Sequence, residues 1–353
     1  MIKSIENQQY RNNLGGGYID ALRGTAMFLV VFSHAITYGM GLNGYDENYL
    51  EAFFGTFYLP LFFFISGMLG YKPLDKWNPK FYFNSIGKKT LLIVPATFFY
   101  ILYCLTFGKY PFGFLTHGWS LYWFTIVLFG MFFLYYTISI IARYTHKALL
   151  EILLVIVSVL GVFWVAFINK TNGVFEVLSV NSLSKYFQFF ALGIMVQKYK
   201  DSFLKIICSD LFKTIIVLGF FGGLFIYFDM DFSLGHPILF KLVHDVIIRY
   251  CGLLTVFVIF YSHADYFEKQ SIIPSSFRLV GRRTLDIYML HYFFMPNLAI
   301  LTVWLSSVRQ SLLLFVVIFF VAIALVAMSL LFGEVIRSSK FLGHYLFGAK
   351  RER

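Results

Sequence analysis

Cysteine, proline and charge are the scarce components of this chain. Its 353 residues include 3 Cys and 8 Pro, and only 13% are charged. Cys104, Cys208 and Cys251 lie far apart without ligand-like spacing, which excludes a disulfide framework or a cysteine-based zinc site. They read as small apolar residues. With so few charges against 59% hydrophobic residues, no soluble core could hide the apolar surface, so the class is a polytopic membrane protein. Acidic residues are scarcer than basic ones, 18 against 29, for a net charge of +11. The basic residues fall between apolar runs and form no patch, so orientation in a bilayer accounts for them and no nucleic-acid partner is required. No Gly/Ser-rich or Pro-rich linker interrupts the chain and no internal repeat is visible, so residues 1–353 are expected to form a single membrane domain.

What is abundant is length of apolar run. About ten runs have membrane-helix length, at 18–40, 51–71, 91–107, 119–139, 149–168, 183–197, 212–229, 238–261, 284–305 and 311–332, the sixth being short. The fold class is therefore all-α. With the amino terminus placed in the cytoplasm, about 23 Lys and Arg fall on inside segments and about four outside, so both termini are expected to be cytoplasmic. Residues 1–17 form a polar amino-terminal segment and 333–353 a basic tail. No short apolar core with a small-residue cleavage site precedes the first span, which is expected to remain as an anchor.

The first span, "IDALRGTAMFLVVFSH" (19–34), carries ionisable residues where hydrocarbon makes them costly. Arg23 and His34 are separated by about three helical turns, so they share a face with His34 roughly 16 Å deeper, and Asp20 lies one turn before Arg23. Arg23 alone could snorkel to lipid phosphates, but His34 is too deep for that. The ninth span begins "RRTLDIYMLH" (282–291), with Tyr288 and His291 one turn apart and His291 about 12 Å beyond Arg282 and Arg283. Two histidines thus reach similar depths below basic residues, an arrangement suited to binding an anion at the rim and moving a proton further in. Lys88 and Lys89, at the start of "KKTLLIVP", are expected to add positive charge beside a helix amino terminus. Ser66 and Gly67 permit close backbone approach, for a ligand or for helix packing.

Together these pieces resemble the acyltransferase 3 family of membrane O-acyltransferases, particularly stand-alone members similar to fucose 4-O-acetylases. The resemblance is carried by "IDALRG" with Arg23 and then His34, "FFFISG" (62–67), "KKTLLIVP" (88–95), "LYWFTIVL" (121–128), "FFALGIMVQK" (189–198) and "GRRTLDIYMLH" (281–291). One departure is Leu92, where relatives often carry a second arginine three residues before the proline. The chain ends soon after the tenth span, so the extracytoplasmic hydrolase-like domain of some relatives is not expected. The resemblance implies acetyl-CoA as a cytoplasmic co-substrate, a hydroxyl of a cell-envelope sugar, polysaccharide or lipid-linked saccharide as acceptor, no permanently bound cofactor or metal, and a bacterial inner membrane. On this reading His34 is the general base, with covalent relay through its imidazole as a variant. Asp20 and Arg23 order the entrance, and Tyr288 and His291 hydrogen-bond the developing oxyanion or the acceptor. Arg23, Lys88, Lys89, Ser66, Arg282 and Arg283 are the expected donor contacts, and Trp119 and Trp123 help shape an acceptor cavity.

Three other readings compete. A secondary transporter or flippase would use Lys241, His244, Asp245 and Arg249 of the eighth span, although Lys241 and Asp245 could simply neutralise each other across one turn, and neither paired repeats nor matching interrupted helices are visible. A receptor or assembly factor leaves the deep histidines unexplained. A metal held by two histidines lacks an acidic ligand nearby in sequence. His117, His146, His236, His263 and His344 read as solvated loop or span-end residues, and Asp229 and Asp231 as outer-side groups.

Overall fold

The computed structural model describes residues 16–41, 53–170, 172–229, 237–298 and 312–348, and the regular elements among them are helical. The main helices are α1 (Gly17–His34), α2 (Tyr58–Gly70), α3 (Pro79–Thr90), α4 (Ile93–Thr106), α5 (Trp123–Tyr144), α6 (Leu149–Phe163), α7 (Val180–Lys198), α8 (Asp210–Asp229), α9 (Ile238–Ser262), α10 (Ile272–Arg282), α11 (Thr284–Leu290) and α12 (Leu312–Ser338). Among the described residues, eight helical segments are long and apolar enough to cross a bilayer: Gly17–Gly39, Phe53–Gly70, Pro79–Thr106, Trp123–Tyr144, Leu149–Ile168, Asp210–Tyr227, Ile238–Ser262 and Leu313–Ser338. The protein is an all-α integral membrane protein.

Two of the ten expected spans differ. The stretch 183–197 is helical within α7, but Asn181, Lys185 and Gln188 leave this helix less apolar than the other eight. The stretch 284–305 is not one helix: α11 stops at Leu290, His291–Phe294 form a 3₁₀ turn, and Met295 is extended. Pro296 explains the stop, because it lacks an N–H and pushes the residue before it out of the helical region. Residues 299–305 lie outside the described residues.

The chain divides into two compact units, Met1–Phe62 with Tyr199–Leu331, and Phe63–Lys198 with Phe332–Arg353. In the first unit, α1 crosses α10 at a pair of glycines. A Cβ on Gly24 would collide with the Phe277 carbonyl, and one on Gly281 with the Asp20 carbonyl, so the two backbones touch directly. Tyr18 meets the edges of Phe257 and Tyr261, while Phe28 and Phe32 meet Phe319 and Phe315 of α12. The start of α1 is closed by Glu268, whose carboxylate accepts from the Gly17 N–H. Arg278, buried, donates to the Phe267 and Lys269 carbonyls and so holds the chain before α10 in place. The span containing α1 is 72% buried against 17% for the span containing α8, so α1 is an interior helix while α8 keeps most of its surface for lipid.

The second unit repeats the device. Gly67 of α2 lies against the Phe190 carbonyl of α7, and Gly193 of α7 against the Phe64 carbonyl of α2. Gly161 of α6 meets the Ser184 carbonyl of α7 in the same way. Trp77, almost fully buried, packs on Phe81, Tyr135 and Tyr136. The side chain of Asn78 accepts from the Phe81 N–H at 2.9 Å, and Pro79 opens α3, which fixes where this helix begins. Glu151, in the first turn of α6, and Lys198, at the end of α7, form an ion pair.

Candidate functional site

The Gly24–Gly281 crossing decides where the charged residues meet. Because α1 and α10 touch there, Arg23 faces the turn between α10 and α11, and its Nη2 donates to Thr284 Oγ1 at 3.1 Å. Asp20 stands between two arginines, 3.8 Å from Arg23 Nη1 and 3.9 Å from Arg282 Nη1. Arg283 pairs with Asp286, 3.4 Å away and only 2% exposed. Three guanidinium groups against two carboxylates leave one positive charge in excess, and Arg282, 56% exposed, is the group most open to an incoming anion.

At the far end of α1 the two histidines meet. His34 Nδ1 lies 2.8 Å from His291 Nε2, with ring planes 10° apart and ring centres 5.1 Å apart. Ring centres that far apart at so short a nitrogen contact place the imidazoles edge to edge in nearly one plane, the geometry of a hydrogen bond along an in-plane lone pair. The other nitrogen of His291, Nδ1, is 2.9 Å from the Ile287 carbonyl, and the other nitrogen of His34, Nε2, is 3.4 Å from the Tyr292 hydroxyl. His291 has no exposed surface, whereas His34 is partly exposed. Among the described residues neither imidazole pairs with a carboxylate, and no three His, Cys, Asp or Glu side chains converge as a metal site would need.

Local backbone helps to aim His34. It is the last α-helical residue before a π-helical turn, Ala35–Gly39, a rare form that is frequent at functional sites, and a second such turn, Trp164–Ile168, follows α6. Gly39 is held from the other side, its carbonyl accepting from the Leu298 N–H at 2.8 Å. Tyr38, 51% exposed, stands edge-on to His34 with ring centres 5.4 Å apart. Tyr288 lies 6.2 Å from His291 between ring centres, while Tyr292 is closer at 4.0 Å. Tyr292 carried no signal in sequence, where a continuous helix favoured Tyr288, one turn before His291. Pro296, four residues further on, was the mark that the helix ends there.

The remaining expected site residues belong to the second unit. Ser66 is partly buried beside the Gly67 contact. Lys88 is exposed, and Lys89 Nζ sits 3.6 Å over the Phe132 ring. Their expected place at a helix amino terminus is corrected: both lie in the last turn of α3, which starts at its Asn78 cap, and α4 begins only at Ile93. The local dipole therefore presents carbonyls to them. Trp119, nearly buried, stacks on Phe114 at 4.7 Å, and Trp123 on Tyr186 at 6.1 Å.

Three of the four ionisable residues of the eighth span, in α9, have these partners. Asp245 takes Arg249 as its partner at 2.8 Å, in place of the expected Lys241, and Arg249 also donates to the Gly55 carbonyl. His244 Nε2 lies 2.9 Å from the Gly223 carbonyl. His146 and His263 bond within their own turns, Cys104, Cys208 and Cys251 are all free thiols, and His236 and Asp231 lie outside the described residues.

The model of the acyltransferase 3 family, described as an acyltransferase domain, matches residues 17–332 and so runs from the start of α1 into α12. The chain belongs to this family, and it is a membrane-embedded member. No curated protein and no solved structure matches it.

Proposed function

We propose that this protein is an O-acetyltransferase that moves an acetyl group from cytoplasmic acetyl-CoA to a hydroxyl of a cell-envelope sugar or polysaccharide unit, in the manner of the fucose 4-O-acetylase-like members it resembles. The observation that carries the reading is His34: a partly exposed imidazole deep in an apolar helix of an acyltransferase-family chain, with a ring nitrogen turned toward a hydroxyl. That nitrogen takes the proton of the acceptor O–H as the oxygen attacks the thioester carbonyl. A C–O bond forms, the C–S bond breaks, and the thiolate leaves with the proton held by His34, giving the ester and free CoA. A general base of this kind contributes roughly 10²- to 10⁴-fold in rate.

Arg23, Arg282 and Arg283, ordered by Asp20, Thr284 and Asp286, form the end of the unit suited to donor phosphates. The roughly 16 Å between Arg23 and His34 along α1 matches the reach of a long narrow thioester arm. The resemblance supports donor contacts for Lys88, Lys89 and Ser66 and acceptor contacts for Trp119 and Trp123. It also supports one acyltransferase domain over the whole chain, about ten spans with both termini in the cytoplasm, and a bacterial cytoplasmic membrane. Asp245 and Arg249 pair with each other, and Arg249 also holds the Gly55 carbonyl, a bonding pattern that packing accounts for without transport.

Purified protein in nanodiscs, given labelled acetyl-CoA and mixed envelope glycans, is expected to move label into glycan and release CoA. Label that never reaches a glycan, with saccharide instead crossing the bilayer in vesicles, would replace the acyltransferase with a transporter.

A further inference from the structure

The histidine pair carries more than the presence of a base. A backbone carbonyl only accepts, so His291 Nδ1, 2.9 Å from the Ile287 oxygen, must be the protonated nitrogen of its ring. His291 is fully buried, with a carbonyl, a histidine and aromatic rings as neighbours and, among the described residues, no carboxylate paired with it to balance a second proton, so it is neutral and its Nε2 is a bare lone pair. His34 Nδ1, in plane with that lone pair at 2.8 Å, must then carry its own hydrogen. This leaves Nε2 as the unprotonated nitrogen of His34, and Nε2 is the one beside the Tyr292 hydroxyl on the partly exposed ring.

The geometry points to His291 as the residue that sets the tautomer of His34: through the chain Ile287 carbonyl, His291, His34, it holds His34 with Nδ1 protonated and Nε2 free to take a proton from the acceptor. This rests on the reading of His34 as base and changes the role of His291. Both its nitrogens are spent inside the fold, so it is a positioning residue that touches neither donor nor acceptor. It does for His34 what a carboxylate does for the histidine of a hydrolase triad, with a neutral acceptor in place of an anion. When His34 takes the acceptor proton, its Nδ1–H stays on His291, which accepts it without becoming charged. The attacking proton therefore remains on His34 Nε2, ready for the departing thiolate. Tyr292 donates to the same lone pair in the resting protein and marks where the acceptor hydroxyl arrives.

Nitrogen-15 NMR of histidine-labelled protein in nanodiscs tests the tautomer directly, with the His34 signals assigned by their loss in His34→Gln. The wild type is expected to show His34 protonated at Nδ1 and bare at Nε2. His291→Phe, close in size, is expected to lower kcat on the order of 100-fold with the donor KM unchanged, and His291→Gln, whose side-chain oxygen can accept from Nδ1–H, to recover much of that loss. A merely structural histidine would show no such rescue and no tautomer change. A wild-type His34 protonated at Nε2, or His291→Phe turning over at the wild-type rate while His34→Ala does not, overturns the proposal. Transfer retained by His34→Ala overturns instead the base reading beneath it, so the two failures are told apart.

Discussion

Each unit is built on one reciprocal glycine crossing, and the two crossings differ in what flanks them. In the first unit Gly24 and Gly281 bring α1 onto α10 with Arg23, Asp20 and Arg282 as neighbours in sequence and in space. In the second, Gly67 and Gly193 bring α2 onto α7 with Phe64 and Phe190 at the contact. The backbone contact is the same and costs the same loss of side-chain packing options. Only the first places ionisable groups beside it and, at the far end of the same helix, a histidine pair. The lesson is that a glycine within a family-like motif, as in "IDALRG" or "FFFISG", answers to packing first. Chemistry has to be argued from the polar residues that the contact brings together.

The comparison breaks most readily at the glycines themselves. Gly24→Ala and Gly281→Ala are expected to destabilise the protein by about 1–3 kcal/mol or more, since the added carbon meets backbone that cannot step aside. Gly67→Ala and Gly193→Ala should do the same in the second unit. Thermal unfolding in a fixed detergent measures all four, and a neutral result for either pair removes that crossing from the account. Arg23→Gln comes next, with an expected rise in donor KM of about tenfold and a smaller change in kcat, because it deletes a charge-assisted contact at the donor end. Thr284→Val, which only frees the Arg23 guanidinium from its 3.1 Å partner, should raise the same KM by a few fold, about 1 kcal/mol. Tyr292→Phe is the mildest: its hydroxyl sits at 3.4 Å from His34, so kcat should fall by no more than about threefold. A larger fall would make Tyr292 a donor to the reacting atoms.

How far these features can be read from sequence depends on whether they lie along one helix or between two. The Arg23 to His34 alignment is legible because α1 is continuous and the 3.6-residue period fixes which side chains share a face. His291 is legible as a deep ionisable residue. Its partner is not, because the 2.8 Å contact depends on α11 stopping at Leu290 and on α1 meeting α10 at Gly24 and Gly281, neither of which has a period. Lys88 and Lys89 mislead for a related reason. Basic residues ahead of an apolar run look like a helix start, and the Asn78–Pro79 cap three turns earlier, which sets the true start, lies in a segment too polar to read as part of the span. The pair Asp245–Arg249 shows the same limit on a smaller scale, since spacing suggested Lys241 as the neutralising partner of Asp245 and the fold pairs it with Arg249.

The central claim is that the arginine end of α1 serves the donor while His34 does the proton transfer. The most direct test compares wild type with His34→Ala in nanodiscs, measuring acetyl-CoA binding and CoA release in one preparation with envelope glycan present. The expected result is donor affinity unchanged and CoA release abolished in the variant. CoA release at the wild-type rate from His34→Ala, with label reaching the glycan, would contradict it.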